Sequence, residues 1–107
     1  MATEPALTPV LLHILLALLP GERHGYAIMQ DVERITGGSS RMGPGTLYGS
    51  LKRLLEAGLV EESGERQIAG DERRRYYRIT GAGRAAVATE SGRLQRLVDF
   101  ARGHLRA

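Results

Sequence analysis

The sequence predicts a mainly α-helical α+β fold: three helices, a small β-hairpin and a long C-terminal helix, in that order. Three observations carry this expectation. Apolar residues recur at helical spacing in four separate segments, the period drops to two between Arg73 and Ile79, and Pro and Gly mark the boundaries between them. With 107 residues, 25% charged and 42% hydrophobic, the composition is globular and the length suits one compact unit. A multidomain enzyme is excluded. A chain this short buries a modest core, so a partner subunit is expected. The absence of cysteine excludes disulfides, thiolate zinc sites and a Cys nucleophile.

Residues Met1 to Ala6 show no periodicity and read as a loose arm. Thr8 followed by Pro9 matches an N-cap with proline at the first helical position, and the first helix is expected from Pro9 to Leu19. Its leucines, with Val10 and Ile14, leave almost no polar face, so other elements or another subunit must surround it. This apolar run, Pro9 to Pro20, is interrupted by His13 and is shorter than the roughly 18 residues of a spanning helix. It also lacks the basic flank and cleavage site of a signal peptide, so a cytoplasmic protein that engages no membrane is expected.

From His24 to Thr36, Ile28, Val32 and Ile35 form the apolar face of a second, amphipathic helix. Gly37 to Ser40 make a turn, and Gly43-Pro44 opens a third helix ending at Ala57. Gly58 takes the left-handed position beyond that end, with Leu59 set to contact Leu54 as in a Schellman closure. A strand from Leu59 to Arg66 pairs with Arg73–Ile79, where Tyr77 and Ile79 face the core, and the tip from Gln67 to Glu72 reads as an extended, mobile wing. Thr80 caps a fourth helix from Gly81 to Leu105, whose Leu94, Leu97, Val98, Ala101 and Leu105 form one apolar stripe. Such a stripe needs something to lie against.

On a helical wheel at about 100° per residue, Leu47, Leu51, Leu54 and Leu55 share the core face of the third helix. The opposite sector holds Gly45, Thr46, Gly49, Lys52, Arg53 and Glu56, with Tyr48 and Ser50 at its flanks. Two exposed glycines cost roughly 1 kcal/mol each relative to alanine, and close backbone approach to a large surface gives them a reason. Lys52 and Arg53 suit phosphates or guanine edges. Arg66, Arg73, Arg74, Arg75 and Arg78, against Asp71 and Glu72, place the whole net charge of +3 between Arg66 and Arg78. That concentration points to an anionic partner, with an ordinary solvated hairpin as the alternative.

Two helices joined by a short Gly-containing turn, followed by a basic hairpin, are the parts of a winged helix-turn-helix. The third helix would enter the major groove while Arg66, Gln67, Arg73 and Arg74 of the wing reach phosphate or a narrow minor groove. The stretches His24-Gly25-Tyr26-Ala27-Ile28, Gly45-Thr46-Leu47-Tyr48 with Leu51-Lys52-Arg53-Leu54, Gly58-Leu59-Val60, and Arg75-Tyr76-Tyr77-Arg78-Ile79-Thr80 with Gly83 resemble the PadR family of bacterial transcriptional regulators. Their order and spacing match from about Leu7 to Ala107. The resemblance implies a homodimeric DNA-binding repressor, with a winged helix over residues 1–80 and a dimerisation helix over 81–107 as in the compact members. It carries Tyr48, Lys52 and Arg53 over as DNA-contacting positions, and the wing arginines less directly because wing sequences vary. Gly49 departs from the larger residue or proline expected after the tyrosine. The resemblance further implies a small effector near the dimer interface, which here comprises Leu12, Leu15 and Leu16 of the first helix and the Leu94, Leu97, Val98, Ala101 and Leu105 stripe. With 5% aromatics, no Trp and a single Phe, that pocket is not built on tryptophan stacking.

His13, His24 and His104, with Asp99 or Glu90, suggest a metal-responsive repressor, but their spacing does not demand one, and the site residues require no cofactor. Gly43 to Thr46 follows no strand and lacks the Lys-Ser/Thr ending of a phosphate loop, and no serine has a positioned base, so an enzyme is not expected. A winged helix used purely for protein interaction keeps the same leucines and turns Lys52, Arg53 and the wing toward an acidic protein patch.

Overall fold

The computed structural model describes residues 7–67 and 73–105. Seven elements follow one another: α1 (Pro9–Leu18), β1 (Arg23–His24), α2 (Gly25–Ile35), α3 (Pro44–Glu56), β2 (Val60–Gln67), β3 (Arg73–Ile79) and α4 (Gly81–His104). The first six residues and most of the wing tip lie outside the described residues.

The capping chemistry is the one the sequence leads to expect. The Thr8 hydroxyl accepts from the Leu11 N–H, and Pro9 opens α1. Gly58 has φ +74°; its N–H donates to the Leu55 carbonyl at 3.1 Å while that of Leu59 donates to Leu54 at 3.0 Å, a complete Schellman closure. Thr80 caps α4 by accepting from the Gly83 N–H at 3.1 Å. Each helix ends within a residue of its expected boundary, because fraying ends carry the weakest signal.

The all-apolar α1 lies at the centre and touches α2, α3, α4 and β3. Leu11, Ile14, Leu15, Ala17 and Leu18 are buried there with Ile28, Val32, Leu47, Leu51, Leu54, Leu59, Val60, Tyr77, Ile79, Ala86 and Val87. Ile35, expected on the core face of α2, is 41% exposed. It is the last residue of the helix, where the chain has already turned away from the core.

The hairpin is part of a three-stranded antiparallel sheet ordered β1-β3-β2. The two-residue β1 sets Arg23 opposite Tyr77 and His24 opposite Tyr76, an edge too short to show any sequence period. In the hairpin Val60 faces Ile79 and Glu62 faces Tyr77, and the ladder slips between Glu62 and Gly64. Gly64 takes φ +118° at this bulge, a conformation that favours glycine.

At its start α4 is pressed onto the base of the hairpin. A Cβ added to Gly83 would lie 2.2 Å from the Leu59 carbonyl oxygen and 2.6 Å from Ile79 Cγ1. Beyond Glu90 every described residue of α4 is exposed, so the second half of the helix projects from the domain. Among the described residues no helix is long and apolar enough to cross a membrane.

Gly83→Ala is expected to destabilise the fold by about 1–3 kcal/mol, because the methyl meets backbone that cannot yield. Gly92→Ala on the same helix meets open space and is expected to stabilise by roughly 0.5–1 kcal/mol. Urea denaturation of the two variants at equal protein concentration reads both effects.

Candidate nucleic-acid interface

The third helix presents the two faces its wheel describes. Leu47, Leu51 and Leu54 are buried, whereas Gly45, Thr46, Tyr48, Gly49, Lys52, Arg53 and Glu56 are exposed. A Cβ at Gly45 or Gly49 would meet nothing within 4 Å, so no contact among the described residues requires glycine at either position. Among the described residues Lys52 and Arg53 enter no ion pair, and both side chains stand uncommitted on the outer face of α3.

Tyr48 is half exposed, yet its position is set from within. Its hydroxyl lies 2.5 Å from where a Cβ on Gly25 would be, so only glycine at the first position of α2 admits the ring. Gly25 is buried and Tyr26, next to it, is exposed. His24 caps α2 through its side chain, accepting from the Ala27 N–H at 3.2 Å.

On the wing, alternation sends Arg73, Arg75, Tyr77 and Ile79 to one face and Arg74, Tyr76 and Arg78 to the other. Arg75 pairs with Glu65 at 3.3 Å and Glu62 at 3.7 Å, and Arg78 pairs with Glu61 at 2.6 Å. Burial pushes the Tyr77 hydroxyl up from its ordinary range, with the Glu62 carboxylate adding to the shift. Arg73 is exposed and enters no ion pair among the described residues. Gln67 pairs with Arg73 in the ladder at the end of β2.

Arg66, one of the wing residues expected to reach DNA, stands one ladder pair from the end of β2 and is engaged within the protomer. Its guanidinium pairs with Glu22 and lies 4.4 Å from the centroid of the Tyr76 ring. The bond from Arg66 holds the Glu22 carboxyl at about 2, well below the ordinary carboxylate range. Sequence reading missed this pairing because Glu22 is remote in the chain.

Arg74 extends toward α2, with Nη1 at 3.2 Å and 3.3 Å from the two ring nitrogens of His24 and Cζ 5.6 Å from the Tyr26 ring centroid. The structure thus gathers Tyr48, Arg73 and Arg74 around one cleft of about 580 Å³, lined also by His24, Gly25 and Tyr26. Arg66 does not line it. No local pattern in the sequence places His24 or Tyr26 on this cleft, although His24 opens α2 and bonds locally as its position suggests.

The surface expected to pair with another copy divides between two helices. Leu94, Leu97, Val98 and Ala101 on α4 and Leu105 just past its end are all exposed, together with Phe100 at 68%, which the stripe does not include. Leu12 and Leu16 are partly buried on α1. Leu15 corrects the expectation: at 0% exposure it belongs wholly to the protomer's own core, because an all-apolar helix gives no sign of which side turns inward. His13, His24 and His104 stand on α1, before α2 and at the end of α4; among the described residues no three potential metal ligands gather. His104 stacks on Phe100 with ring centroids 4.2 Å apart.

Residues 11–89 match the transcriptional regulator PadR-like family. The transcriptional regulator Rv3488 of Mycobacterium tuberculosis is 39% identical over 88 residues, spanning 82% of this chain and 78% of that protein. An uncharacterized 37.1 kDa protein in transposon TN4556 of Streptomyces fradiae is 39% identical over 84 residues, 78% of this chain; the match spans 22% of that longer protein. The crystal structure of Bacillus subtilis PadR in complex with operator DNA is similar in fold, with TM-score 0.68 and 21% identity over 77% of this chain and 46% of that one.

Because the folded Glu22 carboxyl titrates well below its unfolded value, the Glu22–Arg66 contribution is fully present above about pH 4.5 and is lost as pH falls toward about 2. Carboxyl-detected NMR titration is expected to place the Glu22 midpoint near about 2 and to return it to the ordinary glutamate range in Arg66→Ala. A midpoint already ordinary in the unmodified protein would exclude this attachment in solution.

Proposed function

The chain belongs to the PadR-like family of transcriptional regulators, and on that premise we propose that it is a homodimeric transcriptional repressor that binds DNA sequence-specifically at an inverted repeat and is released by a small effector. The family is one of regulators and not of enzymes. The observation that carries the reading is the outer face of α3, where Lys52 and Arg53 stand, without ion pairs among the described residues, beside two exposed glycines. A helix so stripped can approach the floor of the major groove, with Thr46 and Tyr48 near its entering end.

Residues 1–80 form the DNA-binding part and residues 81–107 the dimerisation helix. On DNA, Gly45 and Gly49 bring the α3 backbone close, Arg53 reads a base edge, and Lys52, Arg73, Arg74 and Gln67 hold the backbone on either side. Arg66 takes a supporting part, joining the wing to Glu22. The fold shared with Bacillus subtilis PadR, a protein solved on its operator, supports this arrangement. Two α3 helices about 34 Å apart then read successive major grooves.

Leu94, Leu97, Val98, Ala101 and Leu105, with Phe100 beside them, lie against the same helix of a second copy, where Leu12 and Leu16 of α1 widen the contact. Burying such residues contributes roughly 1.5–3 kcal/mol for each large side chain covered. An effector binding between α1 and α4 would act where the two copies meet, in the cytoplasm where the DNA lies.

Arg53→Ala is expected to weaken binding to a selected duplex by about 1–3 kcal/mol and to a scrambled one by less, measured by fluorescence anisotropy at two salt concentrations. Equal losses on the two duplexes would assign Arg53 to the backbone, and no binding to any duplex from a random pool would reject the DNA reading.

Leu97→Glu is expected to turn the dimer into a monomer in sedimentation velocity. An unchanged sedimentation coefficient would reject α4 as the interface.

A further inference from the structure

Of the 15 lysines and arginines in the chain, only Lys52 is a lysine. It stands on the outer face of α3 with Arg53 beside it and Glu56 one turn farther on. All three are exposed and enter no ion pair among the described residues. Gly49 lies one turn before both cations, and a Cβ there would meet nothing within 4 Å, so no side chain at that position screens them. An arginine keeps its proton at neutral pH and cannot serve as a nucleophile, whereas a lysine amine can. One open helix face therefore carries a nucleophile, a cation that can hold an anion and a carboxylate that can accept a proton.

We propose that Lys52 is an acylation site for small acyl phosphates, and that its acylation weakens the hold of α3 on DNA. The neutral Nζ attacks the carbonyl carbon of the donor. The C–N bond of the amide forms, the C–O bond to the phosphate breaks, and the phosphate leaves with that electron pair. Glu56, a neighbour of Lys52 at i+4, takes the ammonium proton and passes it to water. The second proton shed by the nitrogen leaves on the phosphate. Arg53 holds the phosphate group of the donor throughout. Between Gly49 and Glu56 the outer face carries no apolar side chain to hold an acyl group, so the phosphate is the part of the donor that this face can bind. Acylation removes the charge of Lys52, and with it the contact of that residue with the DNA backbone. This consequence rests on the DNA-binding reading; the acylation itself stands without it.

The full chain is treated with acetyl phosphate in the presence of Nα-acetyllysine amide as a reference amine, and peptide mapping by mass spectrometry follows the rate at Lys52. Lys52 is expected to react about tenfold faster than the reference, and Arg53→Gln and Glu56→Gln each to remove most of that advantage. The acetylated protein is expected to bind a duplex selected from a random pool about tenfold more weakly, with the slope of log K against log salt smaller by about one. Lys52→Arg, which offers no lysine amine, is expected to bind that duplex equally before and after the same treatment.

Reaction no faster than the reference, or unaffected by both substitutions, in protein that binds the selected duplex overturns the site and leaves the DNA reading in place. Fast reaction that depends on Arg53 and Glu56, in protein that binds no duplex, removes the DNA reading and leaves the site. Unchanged duplex affinity after acetylation, or an equal loss in treated Lys52→Arg, overturns the effect on DNA.

Discussion

The Leu59 carbonyl is the point on which the architecture turns. It accepts the Thr80 N–H at 3.1 Å, and the bare Cα of Gly83 is pressed against it. The Leu59 N–H closes α3, and the Thr80 hydroxyl donates to the Gly58 carbonyl at 2.7 Å while capping α4. The end of α3, both strands at the base of the wing and the first turn of α4 therefore meet within a few residues. Each hydrogen bond contributes only about 1 kcal/mol, but the four cannot be varied separately. A methyl at Gly83 would lever α4 off the sheet and loosen the strand that follows α3.

From this fixed base the charges divide by role. Arg66, Arg75 and Arg78 are spent on Glu22, Glu65, Glu62 and Glu61, which braces the wing along both faces. Exposed pairs of this kind contribute little to stability singly, and their use here is geometric, since a hairpin with a bulge at Ser63 has few other restraints on its angle. Lys52, Arg53 and Arg73 have no carboxylate among the described residues. With Arg66, Arg75 and Arg78 neutralised, Lys52, Arg53 and Arg73 direct their field outward, toward an anion approaching α3 and the wing together.

Much of this was legible in the sequence wherever a residue acts through its neighbours in the chain. Thr8-Pro9, Gly58-Leu59 and Thr80 carry their capping role locally, and the leucine spacing of α3 names both of its faces. The rest depends on contacts that no local pattern encodes. Two residues are too few to display a strand period, so β1 was invisible. The pairing of Arg66 with Glu22 joins residues far apart in the chain, and the need for glycine at position 25 arises from Tyr48 and Leu47 of α3. Leu15 was misplaced for the opposite reason: α1 has apolar residues on every side, so periodicity says that it is enclosed without saying which leucines the protomer itself encloses.

That ambiguity in α1 is also a physical link between the two halves of the proposed function. The helix buries Leu11, Ile14, Leu15 and Leu18 inside the domain, touching α2, α3, β3 and α4, and leaves Leu12 and Leu16 near the surface. On α4 the stripe that starts with buried Ala86 and Val87 continues in phase through Leu94, Leu97, Val98, Ala101 and Leu105 after the domain has ended. A second copy laid along that stripe would therefore rest on a helix whose first turns are fixed at Leu59, beside the end of α3. Close-packed interiors shift between discrete arrangements and do not deform smoothly. An effector wedged between α1 and α4 would change the spacing of the two α3 helices through rigid elements, with no separate relay needed between its pocket and the DNA.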